Sequence, residues 1–359
     1  MVLTGLLVGA VLGFAMQRGR FCVTGAFREV WIGGKTRWLT AFLIVIAVHA
    51  IGVFTLQSLG VITLNASPMP IVATVAGGLI FGYAIVLAGG CATGTYYRSA
   101  EGLVGSWIAL AMYAAFAAFM KYGPLGGVTT WLRGTALTEH ATVQEALGIS
   151  PWWLVAAFAL AVGALAVHHL RAEAALPRPA TLPPRKTGLA RFLFEKPWHA
   201  FGTAVFIGII ATVAWPLSAA TGRNAGLGIT TPSANLASWL ITGDVTLLDW
   251  GVFLVLGILI GAFIAAKGSG EFRIRVPDST TIVRSVIGGA LMGVGAVLAG
   301  GCTIGNAMVN TAQFGFQGWV SFAAMVLGTG IATHQFILRP RTPAASSSTA
   351  TPAPSYVTV

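Results

Sequence analysis

Apolar runs long enough to cross a hydrocarbon core as helices recur along the whole chain, separated by short polar stretches. The pattern predicts nine spans, at roughly 3–17, 38–59, 71–89, 102–122, 151–170, 199–217, 246–266, 281–299 and 315–338. Two of them end alike. Residues 77–94 read GGLIFGYAIVLAGGCATG and residues 288–305 read GGALMGVGAVLAGGCTIG, at a constant offset of 211. Gly82/Gly293, Val86/Val297, Leu87/Leu298, Ala88/Ala299, Cys91/Cys302 and Gly94/Gly305 are among the identical pairs. Each copy is an apolar helix that stops at a glycine pair (Gly89-Gly90, Gly300-Gly301), places a cysteine, and meets a further glycine three residues on.

Composition fixes the class. The chain is 56% apolar and 9% charged, with a mean hydropathy of +0.81, whereas a soluble domain carries about 25% charged residues. The expected fold is therefore an all-α integral membrane protein of about nine transmembrane helices, with short re-entrant or broken helices at the glycine pairs. The apolar start, Met1 to Met16, has no preceding basic residue and reads as a retained first span, not a signal peptide. The three cysteines do not form a disulfide framework. Without clustered His, Asp or Glu they make a poor zinc or iron–sulfur site, so no metal or cofactor is expected.

The net charge of +11 does not indicate nucleic acid, because the basic residues lie in the loops, where they report topology. The segment 171–198, with six basic residues and five prolines, reads as a cytoplasmic linker. Placing it inside puts eighteen of the twenty-one Lys and Arg residues on that face and leaves only Lys121, Arg133 and Arg223 outside. The N-terminus is then periplasmic and the C-terminus cytoplasmic. Four parts follow: a first half with a connector helix (1–170), the basic linker (171–198), a second half (199–339) and a disordered tail (340–359) rich in Pro, Ala, Ser and Thr. The two Gly-Gly-Cys breaks close the third and the eighth span, which run in opposite directions. An inverted repeat is therefore expected, as in many secondary transporters. A weaker echo pairs Gly19-Arg20-Phe21-Cys22 with Gly222-Arg223-Asn224-Ala225, so three thiols stand where symmetry would allow four.

Glycine permits the sharp turn of a broken helix, and irregular backbone survives at membrane depth only in protein or along a cavity. Residues 92–100, 303–312 and 23–31 can each start a short helix whose N-terminal N–H groups would face the centre, an arrangement suited to an anion. A single transmembrane cysteine is by itself a small apolar residue, and Gly78/Gly82 and Gly289/Gly293 are GxxxG packing pairs. Packing does not account for a cysteine at the break in both halves, so Cys91 and Cys302 are read as functional. The residues alone leave Cys22 open, and leave Arg223 open between an anion contact and a solvated loop cation. His49 reads as a packed, hydrogen-bonded core residue, Asp278 as a helix cap, and the tryptophans as anchors near span ends.

The stretches GRFCVTGAFR (19–28), AGGCATG (88–94), GRNAGLGITTPSANL (222–236) and AGGCTIGN (299–306) together resemble the YeeE/YedE family of bacterial membrane proteins, along essentially the whole chain. The resemblance implies an inner-membrane importer of thiosulfate as a sulfur source and two halves in pseudo-twofold relation. It also implies a small cytosolic TusA-like sulfurtransferase as partner, and essential thiols at Cys22, Cys91 and Cys302. Joined to the residues, it suggests a path in which protonated thiols donate weak S–H bonds to the anion in relay, with Gly89, Gly90, Gly94, Gly300, Gly301, Gly305 and Arg223 shaping the site. Carrying two negative charges inward against roughly 100 mV costs about 4.6 kcal/mol. No coupling site is evident, though rapid cytosolic consumption would keep the gradient steep. Two alternatives stand beside it: a transporter of another sulfur or selenium species, and a membrane sulfurtransferase carrying a cysteine persulfide. The latter would need a basic neighbour for its thiolate, for which Arg20 is the only candidate in the sequence.

Overall fold

The computed structural model describes residues 2–175, 187–195 and 197–339. Most of the linker's prolines and the tail from 340 lie outside the described residues. Among those described the chain is helical, its only β-type pairings being three isolated bridges. The helices are α1 (Leu3–Arg18), α2 (Val23–Gly33), α3 (Arg37–Ser58), α4 (Ile71–Leu87), α5 (Ala92–Ala100), α6 (Val104–Lys121), α7 (Gly126–Gly134), α8 (Val143–Leu147), α9 (Pro151–Ala174), α10 (Gly188–Ala190), α11 (Ala200–Ala219), α12 (Thr230–Thr242), α13 (Trp250–Ser269), α14 (Ser279–Ala299) and α15 (Phe316–Thr333). Nine helical segments among the described residues are long and apolar enough to cross a membrane, with α1–α2 and α4–α5 each counted as one segment.

The predicted spans and the observed helices agree closely. The seventh begins late, at Trp250, because Asp244 turns the chain into a 3-10 turn (Val245–Leu247) and Asp249 then caps α13 by accepting from Val252 N at 2.9 Å. Asp278 caps α14, accepting from the N–H groups of Thr280 and Thr281, and the Thr281 hydroxyl, with these donors, holds its carboxyl below the usual range. The segment between α6 and α9, unread in the sequence, holds α7 and α8.

The packing falls into matched pairs: α1 lies on α13 and α3 on α11, α4 lies on α15 and α14 on α6, and α4 crosses α14. The α4/α14 crossing is reciprocal. A Cβ on Gly77 would stand 2.4 Å from the backbone nitrogen of Ala299, and one on Gly288 would stand 2.4 Å from that of Ala88. An interior glycine of each helix therefore seats on the C-terminal end of the other, and the two run antiparallel. Close approach of this kind needs residues without side chains. The remaining contact with α15 and α6 repeats the pattern, Gly82 meeting Met325 O and Gly293 meeting Tyr113 O. The connector α9 packs chiefly on α3 and is otherwise little buried.

The two ends of the bundle can be told apart. At the linker end, Arg37 binds Glu173, His199 lies 3.1 Å from the same carboxylate, and Trp198 N donates to Arg18 O. At the opposite end, Asn224 Nδ2 donates to Thr63, and short bridges tie Pro70 to Leu137 and Thr142 to Gly315. Leu12, Phe81, Ile85, Ile258 and Met292 fill the middle with under 2% exposure. His49 belongs to that core, its Nε2 accepting from Trp215 Nε1 at 3.1 Å.

Candidate functional site

Four chain reversals converge in the middle of the bundle. In each of the first two, a cysteine is the last extended residue before a short helix: Cys22 before α2 and Cys91 before α5. Cys22 Sγ accepts the N–H of Gly25 at 3.4 Å, so the thiol itself caps α2. The third reversal carries Cys302 and continues into residues 305–310, wound as a π-turn. The fourth carries Ala225 ahead of α12. Of the short helices expected around the centre, the one after Cys302 forms across residues 305–312, with 305–310 in π winding. Asn306 explains the difference. Its Nδ2 donates to Ala299 O and Gly301 O, and its Oδ1 accepts from Asn310 and Gln317, so the side chain caps the broken end of α14 directly.

The two helix breaks need glycine at one backbone position each. Gly89 and Gly300 have φ of +70° and +81°, left-handed values that a side chain disfavours. Gly90 and Gly301 are packed against the following turn, 3.4 Å from Gly94 C and 3.1 Å from Asn306 N as judged by a built Cβ. Gly94 has a different use: a Cβ there would stand 3.6 Å from Cys91 Sγ, so its absence leaves one side of the sulfur open. Gly25 stands in the same relation to Cys22, at 3.8 Å. Gly305 faces open space. The pattern Cys-x-x-Gly therefore occurs three times, at 22–25, 91–94 and 302–305, and is echoed by Ala225 and Gly228. At this fourth reversal the atom nearest the glycine is Nη2 of Arg223, at 3.3 Å from the built Cβ. A guanidinium stands where the thiol is missing.

All three thiols are free; Cys91 and Cys302 are fully buried and Cys22 is half-buried. Both other thiols lie in the electrostatic surroundings of Cys91, and the Thr303 side chain reaches it. Polar cavities flank this line at the two ends of the bundle. The linker-end cavity, about 380 Å³, reaches Cys22 and holds Arg20, Arg98, Arg273 and Arg275 with Glu101 and Glu271. The opposite cavity, about 220 Å³, contains Arg223, Ala225 and Asn310 and has Gly300, Gly301 and Gly305 in its wall, next to Cys302. The buried centre lies between them.

Arg223 is pinned in place, donating to Ser218 Oγ at 3.0 Å and to the carbonyls of Ala225 and Gly226, with its guanidinium over Trp250. It is half-buried, so it is not a solvated loop cation. Burial lowers its pKa, and Asp249 acts the other way. Burial likewise pushes the Glu101 carboxyl up.

The basic neighbour of Cys22 is not Arg20. Arg20 instead pairs with Glu271 at 3.0 Å, a carboxylate that Gln17 also holds. Arg98, from the last turn of α5, donates through Nη2 to Cys22 Sγ at 3.5 Å and through Nη1 to Gly89 O. One guanidinium thereby caps the broken end of α4 and faces a thiol 76 residues away. In the sequence Arg98 counts only toward the charge of a loop, and nothing local marks it. Arg133 plays the matching part on α14, donating to Leu298 O at 2.9 Å. Buried hydroxyl pairs fix α12 to its surroundings, Tyr96 to Ser233 at 2.8 Å and Tyr113 to Thr230 at 2.9 Å.

The arrangement sets cations in the cavities at both ends and weak sulfur donors with little side-chain cover in the buried region of the breaks, a chemistry suited to a small anion. Residues 18–331, which include every thiol and both cavities, match the sulphur transport family. The chain is 50% identical over 341 residues to the thiosulfate transporter TsuA of Escherichia coli (strain K12), covering 95% of this chain and 96% of that protein. It is 32% identical over 341 residues to the thiosulfate transporter TsuA of Spirochaeta thermophila, covering 91% and 97% respectively. A stretch of 104 residues, 28% of the chain, is 44% identical to the probable transporter YedE of E. coli and covers 25% of it. Matching the family over most of its length and two of these relatives almost end to end, the chain belongs to the sulphur transport family.

Proposed function

We propose that this protein carries thiosulfate inward across a bacterial inner membrane, as a sulfur source, along Cys302, Cys91 and Cys22 in that order. The observation that carries this reading is the full-length match to relatives named thiosulfate transporters, supported by two arginine-bearing cavities, one lined by Cys22 and the other by the glycines on either side of Cys302. In this reading the ion meets Cys302 from the Arg223 cavity and leaves past Cys22 into the Arg98 cavity, with Cys91, which has both other thiols in its surroundings, as the intermediate step. The excess of basic loop residues assigns the linker end to the cytoplasm, which makes the Arg223 cavity periplasmic. The reciprocal α4/α14 crossing supports two inverted halves about a central site. A TusA-like sulfurtransferase at the linker end would consume the delivered anion and keep its gradient inward. Since the relatives are transporters, the protein is a transporter and not an enzyme; the thiols donate hydrogen bonds and return unmodified.

Labelled thiosulfate uptake into vesicles reconstituted with the full chain tests the reading. Saturable uptake, competed by unlabelled thiosulfate, is expected. Uptake no greater than in empty vesicles, or competed only by a selenium anion, would remove thiosulfate as the substrate.

Arg98 gives a second test. Arg98→Gln loses the cation beside Cys22 and the cap on Gly89, each a charge-assisted hydrogen bond of about 1.5–3 kcal/mol. Uptake should fall roughly tenfold or more by that measure, with partial recovery in Arg98→Lys. An unchanged rate in Arg98→Gln would reduce this arginine to a loop cation.

A further inference from the structure

Each thiol is followed within two residues by a threonine: Thr24 after Cys22, Thr93 after Cys91, and Thr303 directly after Cys302. All three are buried, with 3%, 0% and 0% of their surface exposed. The hydroxyls of Thr24 and Thr93 have no hydrogen-bond partner, and that of Thr303 has only the weak Cys91 thiol beside it. Neighbouring threonines show that a hydroxyl on these short helices can find a partner. Thr95 donates to Ala92 O at 2.6 Å, Thr230 accepts from Tyr113, and Thr311 donates to Asn306 O. Buried polar atoms are nearly always paired; Thr74, Thr203 and Thr333 are open as well, but only Thr24, Thr93 and Thr303 stand within two residues of a thiol, a recurrence that suits an anion with several acceptors.

The chemistry of the cargo supplies that group. Thiosulfate has one terminal sulfur and three oxygens. A thiol is a weak donor matched to sulfur, whereas a hydroxyl is the stronger donor to oxygen. A dianion desolvated in the core must have its acceptors satisfied to be held at all. The thiols alone leave the oxygen end bare, and the two arginines lie in the end cavities, outside the buried middle.

We propose that Thr24, Thr93 and Thr303 form the oxyanion half of the path, their hydroxyls donating to the sulfonate oxygens while the adjacent thiols meet the terminal sulfur. This rests on the thiosulfate reading above and adds the residues that recognise the other end of the ion. It also accounts for discrimination: an ion is passed on only if it presents sulfur to one row and oxygen to the other.

The test uses the full chain in vesicles, comparing wild type, Thr303→Val, Thr93→Val, Thr303→Ser and the control Thr74→Val. Thr74 is another buried threonine with an unpaired hydroxyl, but it lies in the first turn of α4 with no thiol in its turn. Valine keeps the shape and removes only the donor. Thr93→Val, which loses no hydrogen bond, is expected to melt at or above the wild-type temperature and Thr303→Val, which loses only a weak contact with a thiol, close to it; both are expected to lower uptake about tenfold or more. Thr303→Ser should recover most of the rate, and Thr74→Val should match wild type. Sulfate, which offers only oxygens, should compete less well in Thr303→Val than in wild type. Wild-type uptake that persists within twofold in both Thr303→Val and Thr93→Val overturns this proposal alone. Absence of uptake by wild type overturns the transport reading, and the proposal with it.

Discussion

Cys91→Ala and Cys302→Ala are each expected to bring thiosulfate uptake down to the level of empty vesicles. Both sulfurs are fully buried and stand at the two broken helix ends, so neither can be bypassed by solvent. The fold should survive. Alanine removes one small, weakly hydrogen-bonding atom from each site, a cost of about 1 kcal/mol on the scale of single-group deletions, and the glycine turns that make the breaks remain. Cys91→Ser keeps a donor of nearly the same size and should retain part of the rate. This separates a hydrogen-bonding thiol from a nucleophilic one, because a persulfide carrier would lose everything on the same change. Uptake within twofold of wild type in both alanine variants would reduce the thiols to packing.

The second large effect concerns the frame that holds them. Gly77→Ala and Gly288→Ala should each destabilise the protein by about 3 kcal/mol, the upper end of the cost of overpacking. The added carbon would stand 2.4 Å from a backbone nitrogen, which cannot turn aside as a side chain can. Because the contact is reciprocal, the two losses should be close to equal. Gly202→Ala, where nothing lies within 4 Å, should be neutral or slightly stabilising through helix propensity. Thermal melting in detergent reads all three. A large loss for one glycine and none for its counterpart would contradict a symmetric crossing.

Much of this was legible in the residues because its signals are local or repeated. Hydrophobic length marked the spans, and the 211-residue offset marked both breaks and two of the thiols. The Cys-x-x-Gly pattern shows that Cys22 belongs with them, since Gly25 is to Cys22 what Gly94 is to Cys91. What stayed hidden depends on long-range partners. Arg98 becomes the neighbour of Cys22 only when α5 is brought against the end of α1 in the folded chain, and Arg20, two residues from Cys22 in sequence, is drawn off by Glu271. Asn306 alters the second break by replacing a backbone cap with a side chain, so two nearly identical sequences wind differently, into α5 in one half and a π-turn in the other. The short helices α7 and α8 are too polar and brief for a hydrophobic-length criterion, yet α7 delivers Arg133 to the end of α14.

The α4/α14 crossing also acts as a gauge. Ala88 and Ala299, the residues seated on the opposing glycines, each lie three positions ahead of a cysteine. The gap between Cys91 and Cys302 is therefore set by the register at which two antiparallel rods lock, and hardly at all by the loops around them. Lengthening or recutting the outer loops leaves the step between the two sulfurs unchanged. Sliding the rods by one residue, about 1.5 Å, would stretch or shorten it and would have to unseat both glycine contacts together. The spacing of the two sulfurs is thus built into a glycine contact between two helices of the core.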